Sequence, residues 1–259
     1  MKQAVIIIVF IILIVGFWFM FQISQEPEVI PMGKESVQKV QFITSDEVQI
    51  VGNFYPSERV KAAVLALHMM PTTKESWDNL AKALARQRVT SLAIDLRGHG
   101  ESTNIKNEES NIKNLDYRKF SDEEHQASKL DVEAALEWLE KETGLPLEKI
   151  SVVGGSIGAN LTLQALFEHP EIKKGVALSP GLNYRGIQPK QFVQNFKPDQ
   201  AVFYATSKDD GDNATKVEEL FNATSARKEW KVYDNAGHGT TMLERTDDLL
   251  PSIVEFISQ

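Results

Sequence analysis

Two short stretches of this chain carry residues able to act together as a nucleophile and its base. The first is Gly154-Gly155-Ser156-Ile157-Gly158, which lies between an apolar run and a helical pattern. A Gly-x-Ser-x-Gly at a strand–turn–helix junction puts the serine on a sharp, crowded turn. The turn exposes the hydroxyl, and the amides that open the helix face any oxyanion formed there. The five-residue pattern is weak alone, because Gly and Ser are common; its place between strand and helix gives it weight.

A serine hydroxyl attacks poorly until a base removes its proton. His238, in Asn235-Ala236-Gly237-His238-Gly239-Thr240, follows the last predicted strand and is held on a tight loop by flanking glycines. The plain alternative is a surface histidine. The base in turn needs an acid to fix its tautomer and stabilise the imidazolium. Asp209 and Asp210, in Ser207-Lys208-Asp209-Asp210-Gly211, close a strand between Ser156 and His238. Either aspartate can serve, and an acidic pair before glycine is also an ordinary solvated turn. His68-Met69-Met70-Pro71 ends an earlier strand, where a second oxyanion amide is expected.

The elements that must hold these residues alternate. Val37–Thr44 and Val48–Tyr55 have the alternation of a hairpin. Val60–Leu67 and Val89–Asp95 are near-continuous apolar runs, as for strands buried on both faces. Ser76–Arg86 places Trp77, Leu80, Ala81 and Leu84 on one helical face. Ser121–Glu142 reads as one long helix, opened by a Ser121/Glu124 capping box and ended by Gly144 and Pro146, with Leu130, Ala134 and Trp138 inward. Then follow strand Ile150–Val153, helix Ile157–Glu168, strands Gly175–Leu178 and Val202–Thr206, helix Thr215–Ala223, strand Trp230–Tyr233 and helix Thr241–Ile257. Repeated strand–helix units predict an α/β fold, a mostly parallel central sheet with helices on both faces and chemistry at the carboxyl ends of the strands.

With these motifs in this order, residues 37–259 resemble the α/β-hydrolase fold family of the serine type, near its small esterase and dienelactone-hydrolase-like branch. LALHMMPTTKESWDNLAKAL is similar to the family's oxyanion loop and following helix, and SLAIDLRGHGES to its Asp-x-Arg-Gly-His-Gly-x-Ser turn. VVGGSIGANLTLQAL resembles the nucleophile elbow, DNAGHGTTML the histidine loop, and VALSPGLNYRG a segment of small bacterial and archaeal hydrolases. The resemblance implies Ser156 as nucleophile, His238 as base and Asp210 as acid, with Asp209 in reserve, and oxyanion amides from Ile157 and Met70. Met69 departs from the family's usual glycine after the histidine. Arg97, His99 and His68 are expected to be structural, and His125 and His169 to lie on helix surfaces. A serine at 156 sets the chain apart from dienelactone hydrolases proper, with cysteine there, and from dehalogenases and epoxide hydrolases, with aspartate.

Caps in this family usually follow the strand corresponding to Gly175–Leu178. Ser179–Gln200 is too short for a sizeable helical lid, so a minimal cap and an open site for small acyl groups are expected. Tyr184 and Arg185 offer contacts to a substrate carboxylate, against the plainer reading of a solvated loop arginine. The polar stretch Ser102–Phe120 is placed to flank the site. The expected activity is cleavage of small esters or thioesters through an acyl-enzyme. The alternatives are a peptidase or acyltransferase, or a non-catalytic binding domain on the same scaffold.

Ahead of this domain, Ala4–Phe21 is unbroken apolar sequence. As a helix it spans about 27 Å, close to the roughly 30 Å hydrocarbon core of a bilayer. No Ala-x-Ala follows it, which argues for an uncleaved anchor over a signal peptide. Residues 1–25 are therefore expected to be a single transmembrane signal-anchor, 26–36 a linker, and 37–259 the hydrolase domain. Lys2 before the run and Glu26 and Glu28 after it orient the domain to the extracytoplasmic side. The formal net charge of −8 disfavours nucleic acid as partner. With no cysteine there is no disulfide and no thiolate metal site. No metal-ligand spacing, phosphate loop or dinucleotide fingerprint is present, so neither metal nor cofactor is expected.

Overall fold

The computed structural model describes residues 37–105 and 113–259. The apolar segment 4–21 and the linker 26–36 lie outside the described residues. Among those described, no helix is long and apolar enough to cross a membrane.

Among the described residues, ten strands form one sheet: β1 (Gln38–Ile43), β2 (Val48–Tyr55), β3 (Ala62–Leu67), β4 (Val89–Ile94), β5 (Asn104–Ile105), β6 (Lys113–Asn114), β7 (Ile150–Gly155), β8 (Lys174–Leu178), β9 (Ala201–Ser207) and β10 (Arg227–Tyr233). Their order is β10-β9-β8-β7-β3-β4-β2-β5-β6, with β1 paired to β2. The pairs from β4 through β3, β7, β8 and β9 to β10 are parallel; β1, β2, β5 and β6 pair antiparallel. The central strands β4, β7 and β9 are buried along their whole length, which is why they read as apolar runs without alternation. Edge strand β10 instead carries Arg227, Lys228 and Lys231, charges that discourage pairing with another chain.

Helices cover both faces. Leu65 and Val152 lie in the layer packed by helices Lys129–Thr143, Ile157–Glu168 and Asn213–Ala223. Val64, Ala66 and Val153 lie in the opposite layer, with helices Asp78–Ala85 and Leu249–Ser258. Successive strand side chains thus enter opposite cores. Trp77, Leu80, Ala81 and Leu84 are all buried, as their spacing predicts.

Two predicted helices are divided. Ser121 and Glu124 do form the capping box, but their helix, Asp122–Gln126, stops after five residues. A second, Lys129–Thr143, begins after Ala127 and Ser128, whose ψ of −12° winds the backbone more tightly than an α-helix. Within this second helix the buried face is Val132, Ala135, Leu136 and Leu139, while the predicted Leu130 and Ala134 lie half-buried at its edge; Trp138 is half-buried against Phe42 and Phe54. His125, expected at the surface, is buried, its ring edge-on to Phe120. At the C-terminus, extended Thr246 divides the predicted Thr241–Ile257 helix into Met242–Arg245 and Leu249–Ser258. Asp248 there binds Lys231 and Tyr233 of β10. The predicted end of the long helix is observed: Gly144 caps it at φ 69°.

Of the stretch 102–120, expected to flank the site, residues 102–105 and 113–120 are described. Its strands β5 and β6 extend the sheet beyond β2, on the side away from β7, while Tyr117 returns to stack on His99 in the turn after β4.

Candidate active site

The turn after β7 is tightly constrained. Ser156 has φ 54° and ψ −117°, a conformation that costs an L-residue energy and persists only where its surroundings impose it. The flanking glycines explain how. A Cβ on Gly154 would lie 2.0 Å from the Gly158 carbonyl oxygen, and one on Gly158 would lie 2.3 Å from that of Leu67. The chain reverses so closely upon itself, and the helix Ile157–Glu168 starts so close to the end of β3, that no side chain fits at either place. Ser156 N–H donates to Leu178 of β8 at 2.8 Å, which locks the turn to the neighbouring strand.

His238 comes from the loop after β10, and that loop is held at three points. Ala236 N–H donates to Ser207 Oγ at 2.8 Å, Gly237 N–H to Asp209 Oδ1 at 3.0 Å, and Gly239 N–H to Ser179 Oγ at 3.0 Å. Gly237 and Gly239 both take positive φ, 76° and 56°. His238 Nδ1–H then donates to Asp210 Oδ2 at 2.6 Å. That bond assigns the proton to Nδ1 and leaves Nε2 as the acceptor. The two aspartates, equivalent in sequence, are thus divided: Asp210 meets the imidazole, while Asp209 binds the Ser207 hydroxyl and shapes the loop. The same loop packs on the elbow, for a Cβ on Gly155 would be 3.4 Å from Thr240 N. Among the described residues, no hydrogen bond joins Ser156 Oγ to His238.

Met70 and Ile157 stand at the C-terminal end of β3 and at the first position of the elbow helix. Among the described residues, neither backbone N–H has a protein acceptor. The His68 ring sets the β3 turn: Nδ1–H donates to the Met69 carbonyl at 2.9 Å, and Nε2 accepts Leu96 N–H at 3.0 Å. Burial pushes the His68 pKa down to about 4, so the ring is neutral, as an accepting Nε2 requires. Met69, where the family usually has glycine, lies between the elbow and the histidine loop. A Cβ on Gly239 would come within 2.6 Å of its sulfur, so glycine at 239 matches methionine at 69.

Arg97 and His99 are structural. The Arg97 guanidinium, nearly buried, binds Asp131 at 2.8 Å and Asp46 at 2.7 Å, and so ties the turn after β4 to a helix and to the β1–β2 turn. His99 is sandwiched between His68 and Tyr117. Beneath them, buried Asp95 accepts Lys74 Nζ at 2.8 Å and the Glu101 amide at 2.9 Å.

The sequence reading missed two buried asparagines that clamp the segment after β8. Asn160 Nδ2 donates to the carbonyls of Gly181 (3.0 Å) and Ile187 (2.9 Å), and its Oδ1 accepts Gly181 N–H at 3.0 Å. Asn213 Nδ2 donates to Pro180 at 2.9 Å, while its Oδ1 accepts the Thr206 hydroxyl. The signal was faint: Asn160 is an amide in a mostly apolar helix, and it is wholly buried. As expected from its length, the segment forms no large lid. It holds a two-residue turn at Arg185–Gly186, closed by Tyr184 and Ile187, and the four-residue helix Lys190–Val193. Arg185 is exposed at the tip, whereas Tyr184 turns inward and meets His238 edge-to-face, ring centroids 6.4 Å apart. Among the described residues, no cluster of metal-ligating side chains occurs.

Sheet order, elbow and loops together are those of one fold family. The alpha/beta hydrolase fold profile matches residues 62–201, and the chain belongs to that family. Solved structures agree. An esterase of Pyrococcus furiosus superposes with a TM-score of 0.68 at 20% identity, over 86% of this chain and 91% of the other. An alpha/beta hydrolase of Penicillium does so at 0.71 and 14%, over 86% and 98%. The dienelactone hydrolase of Anabaena variabilis follows at 0.63 and 16%, over 86% and 95%. A search of curated proteins returns no match.

Proposed function

We propose that this protein is a membrane-anchored serine hydrolase that cleaves ester or thioester bonds of small acyl substrates. The observation that carries this reading is the 2.6 Å His238–Asp210 hydrogen bond, made beside a serine held at φ 54° on the elbow. Ser156 Oγ attacks the acyl carbon while His238 Nε2 takes its proton. The N–H groups of Ile157 and Met70 hold the oxyanion, each contributing about 3 kcal/mol by analogy with measured oxyanion donors. The leaving group departs with the proton from His238, and water activated by the same nitrogen clears the acyl-enzyme. The minimal cap suits small acyl groups, and flexible Met69 and Met70 give an adaptable apolar wall. Esterases among the structural relatives are consistent with this chemistry. Segment 4–21 serves as the anchor, with the domain outside the cytoplasm.

The test is intact-mass spectrometry of the full chain in detergent after treatment with a fluorophosphonate. One adduct on the wild type, absent from Ser156→Ala, is expected, together with hydrolysis of p-nitrophenyl esters. A folded wild type that takes up no label and cleaves no ester overturns the reading in favour of a binding domain. Protease protection of the domain in sealed vesicles tests the orientation.

A further inference from the structure

We propose that Tyr184 is a catalytic residue of this site, whose phenol donates a hydrogen bond to the leaving-group oxygen and so selects oxygen esters of poor leaving groups over thioesters. The proposal rests on the serine-hydrolase reading above and deepens it.

Topology fixes the side from which Tyr184 acts. The sheet order around the elbow is β9-β8-β7-β3. Met70 follows β3, on one side of Ser156. Tyr184 follows β8 and Asp210 follows β9, on the other side, and His238 joins them through Asp210. The Met70 amide and the phenol therefore flank the nucleophile from opposite sides, with the Ile157 amide on the elbow itself. The phenol shares the His238 side, where the leaving group must be to receive the Nε2 proton.

The hydroxyl is held in place but its proton is only loosely committed. Asn213 Nδ2 donates to it at 3.3 Å, so a lone pair is occupied. Its own acceptor, the Ser179 carbonyl, is 3.4 Å away, at the weak end of hydrogen bonding. A substrate oxygen beside His238 competes well for that proton. Burial, with the Asp210 charge, raises the phenol pKa, so the group stays a neutral donor and not a base. The ring itself is seated rigidly. It lies on Gly181, where a Cβ would be 2.6 Å from Tyr184 Cζ, and Asn160 holds Gly181 through both its N–H and its carbonyl.

In acylation the Ser156 Oγ–acyl carbon bond forms and the bond from that carbon to the leaving oxygen breaks. The released electron pair stays on the oxygen, which takes the His238 Nε2 proton. Tyr184 donates a hydrogen bond to the same oxygen as charge builds there and keeps its own proton throughout. A basic alkoxide gains most from this contact. A p-nitrophenolate needs it less, and a thiolate sulfur accepts hydrogen bonds poorly.

The experiment compares ethyl butyrate, p-nitrophenyl butyrate and S-ethyl thiobutyrate, which share one acyl-enzyme, on the full chain in detergent. Tyr184→Phe is expected to lower kcat/KM for ethyl butyrate about tenfold further than for the other two, the scale of one neutral hydrogen bond. Equal losses on all three, or no loss, overturn the proposal. Fluorophosphonate labelling of Ser156 separates the two readings: an unlabelled, inactive wild type removes the serine-hydrolase reading itself. Should Tyr184→Phe fail to fold, Gly181→Ala decides, since its methyl displaces the ring; it must reproduce the ethyl-selective loss, and a uniform loss overturns the proposal.

Discussion

The Asp210 carboxylate accepts a hydrogen bond from His238 Nδ1 at 2.6 Å, whereas its neighbour Asp209 accepts one from the Gly237 amide at 3.0 Å. The two acids therefore answer differently to the same change. Asp210→Asn is expected to lower kcat by about 10³–10⁴-fold with little loss of stability, the scale for a triad acid that sets the tautomer. Asp209→Asn is expected to cost less than about tenfold in rate, within the range of a loop hydrogen bond. Steady-state kinetics of the two variants beside their melting curves check the assignment; a larger rate loss for Asp209→Asn reverses it.

Ser156 is strained because the elbow demands a positive φ. Removing only the hydroxyl does not relieve this, but removing Cβ does. Ser156→Gly is expected to be more stable than Ser156→Ala by about 1 kcal/mol, the strain of about 1–3 less the entropic cost of glycine. That corresponds to a Tm higher by about 2–4 °C for a domain of this size. Equal melting temperatures show that the turn holds no strain.

The clamp at Asn160 is expected to matter for both stability and rate. Asn160→Ala removes three hydrogen bonds and strands the groups of Gly181 and Ile187 in the interior. A loss of roughly 2–4 kcal/mol in urea denaturation is expected. Activity on ethyl butyrate should fall in the surviving folded fraction, because Gly181 carries the Tyr184 ring.

Stability should weaken in acid through the buried histidines. Burial pushes His68 from 6.5 to about 4, and burial together with His68 pushes His99 to about 3. Between those values and 6.5 the unfolded chain binds more protons than the folded one. Their contribution is therefore full above pH 6.5 and is lost as pH falls through the folded values. For His68 the loss is on the order of 3 kcal/mol. Urea titrations from pH 7 to 4.5 should show a shallower decline for His68→Asn, which keeps a donor for the Met69 carbonyl and does not titrate. An unchanged slope excludes His68 as a source.

The primary structure alone determined the alternation of strands and helices, the elbow between its glycines and the chain order of Ser156, the Asp209–Asp210 pair and His238. Each is a local matter. A strand buried on both faces is mostly apolar, without alternation, and a backbone that passes 2.0 Å from where a side chain would stand must be glycine. The tertiary structure alone decided which of Asp209 and Asp210 meets His238, because adjacent residues differ only in where the loop aims them. It alone divided the helix at Ala127–Ser128 and buried His125, since a two-residue tightening leaves the helical period intact on either side. It also brought Tyr184 to His238, in a segment clamped by Asn160 and Asn213 through contacts that span 21 to 34 residues along the chain. Such contacts leave no periodic trace, because they depend on which strand ends lie side by side.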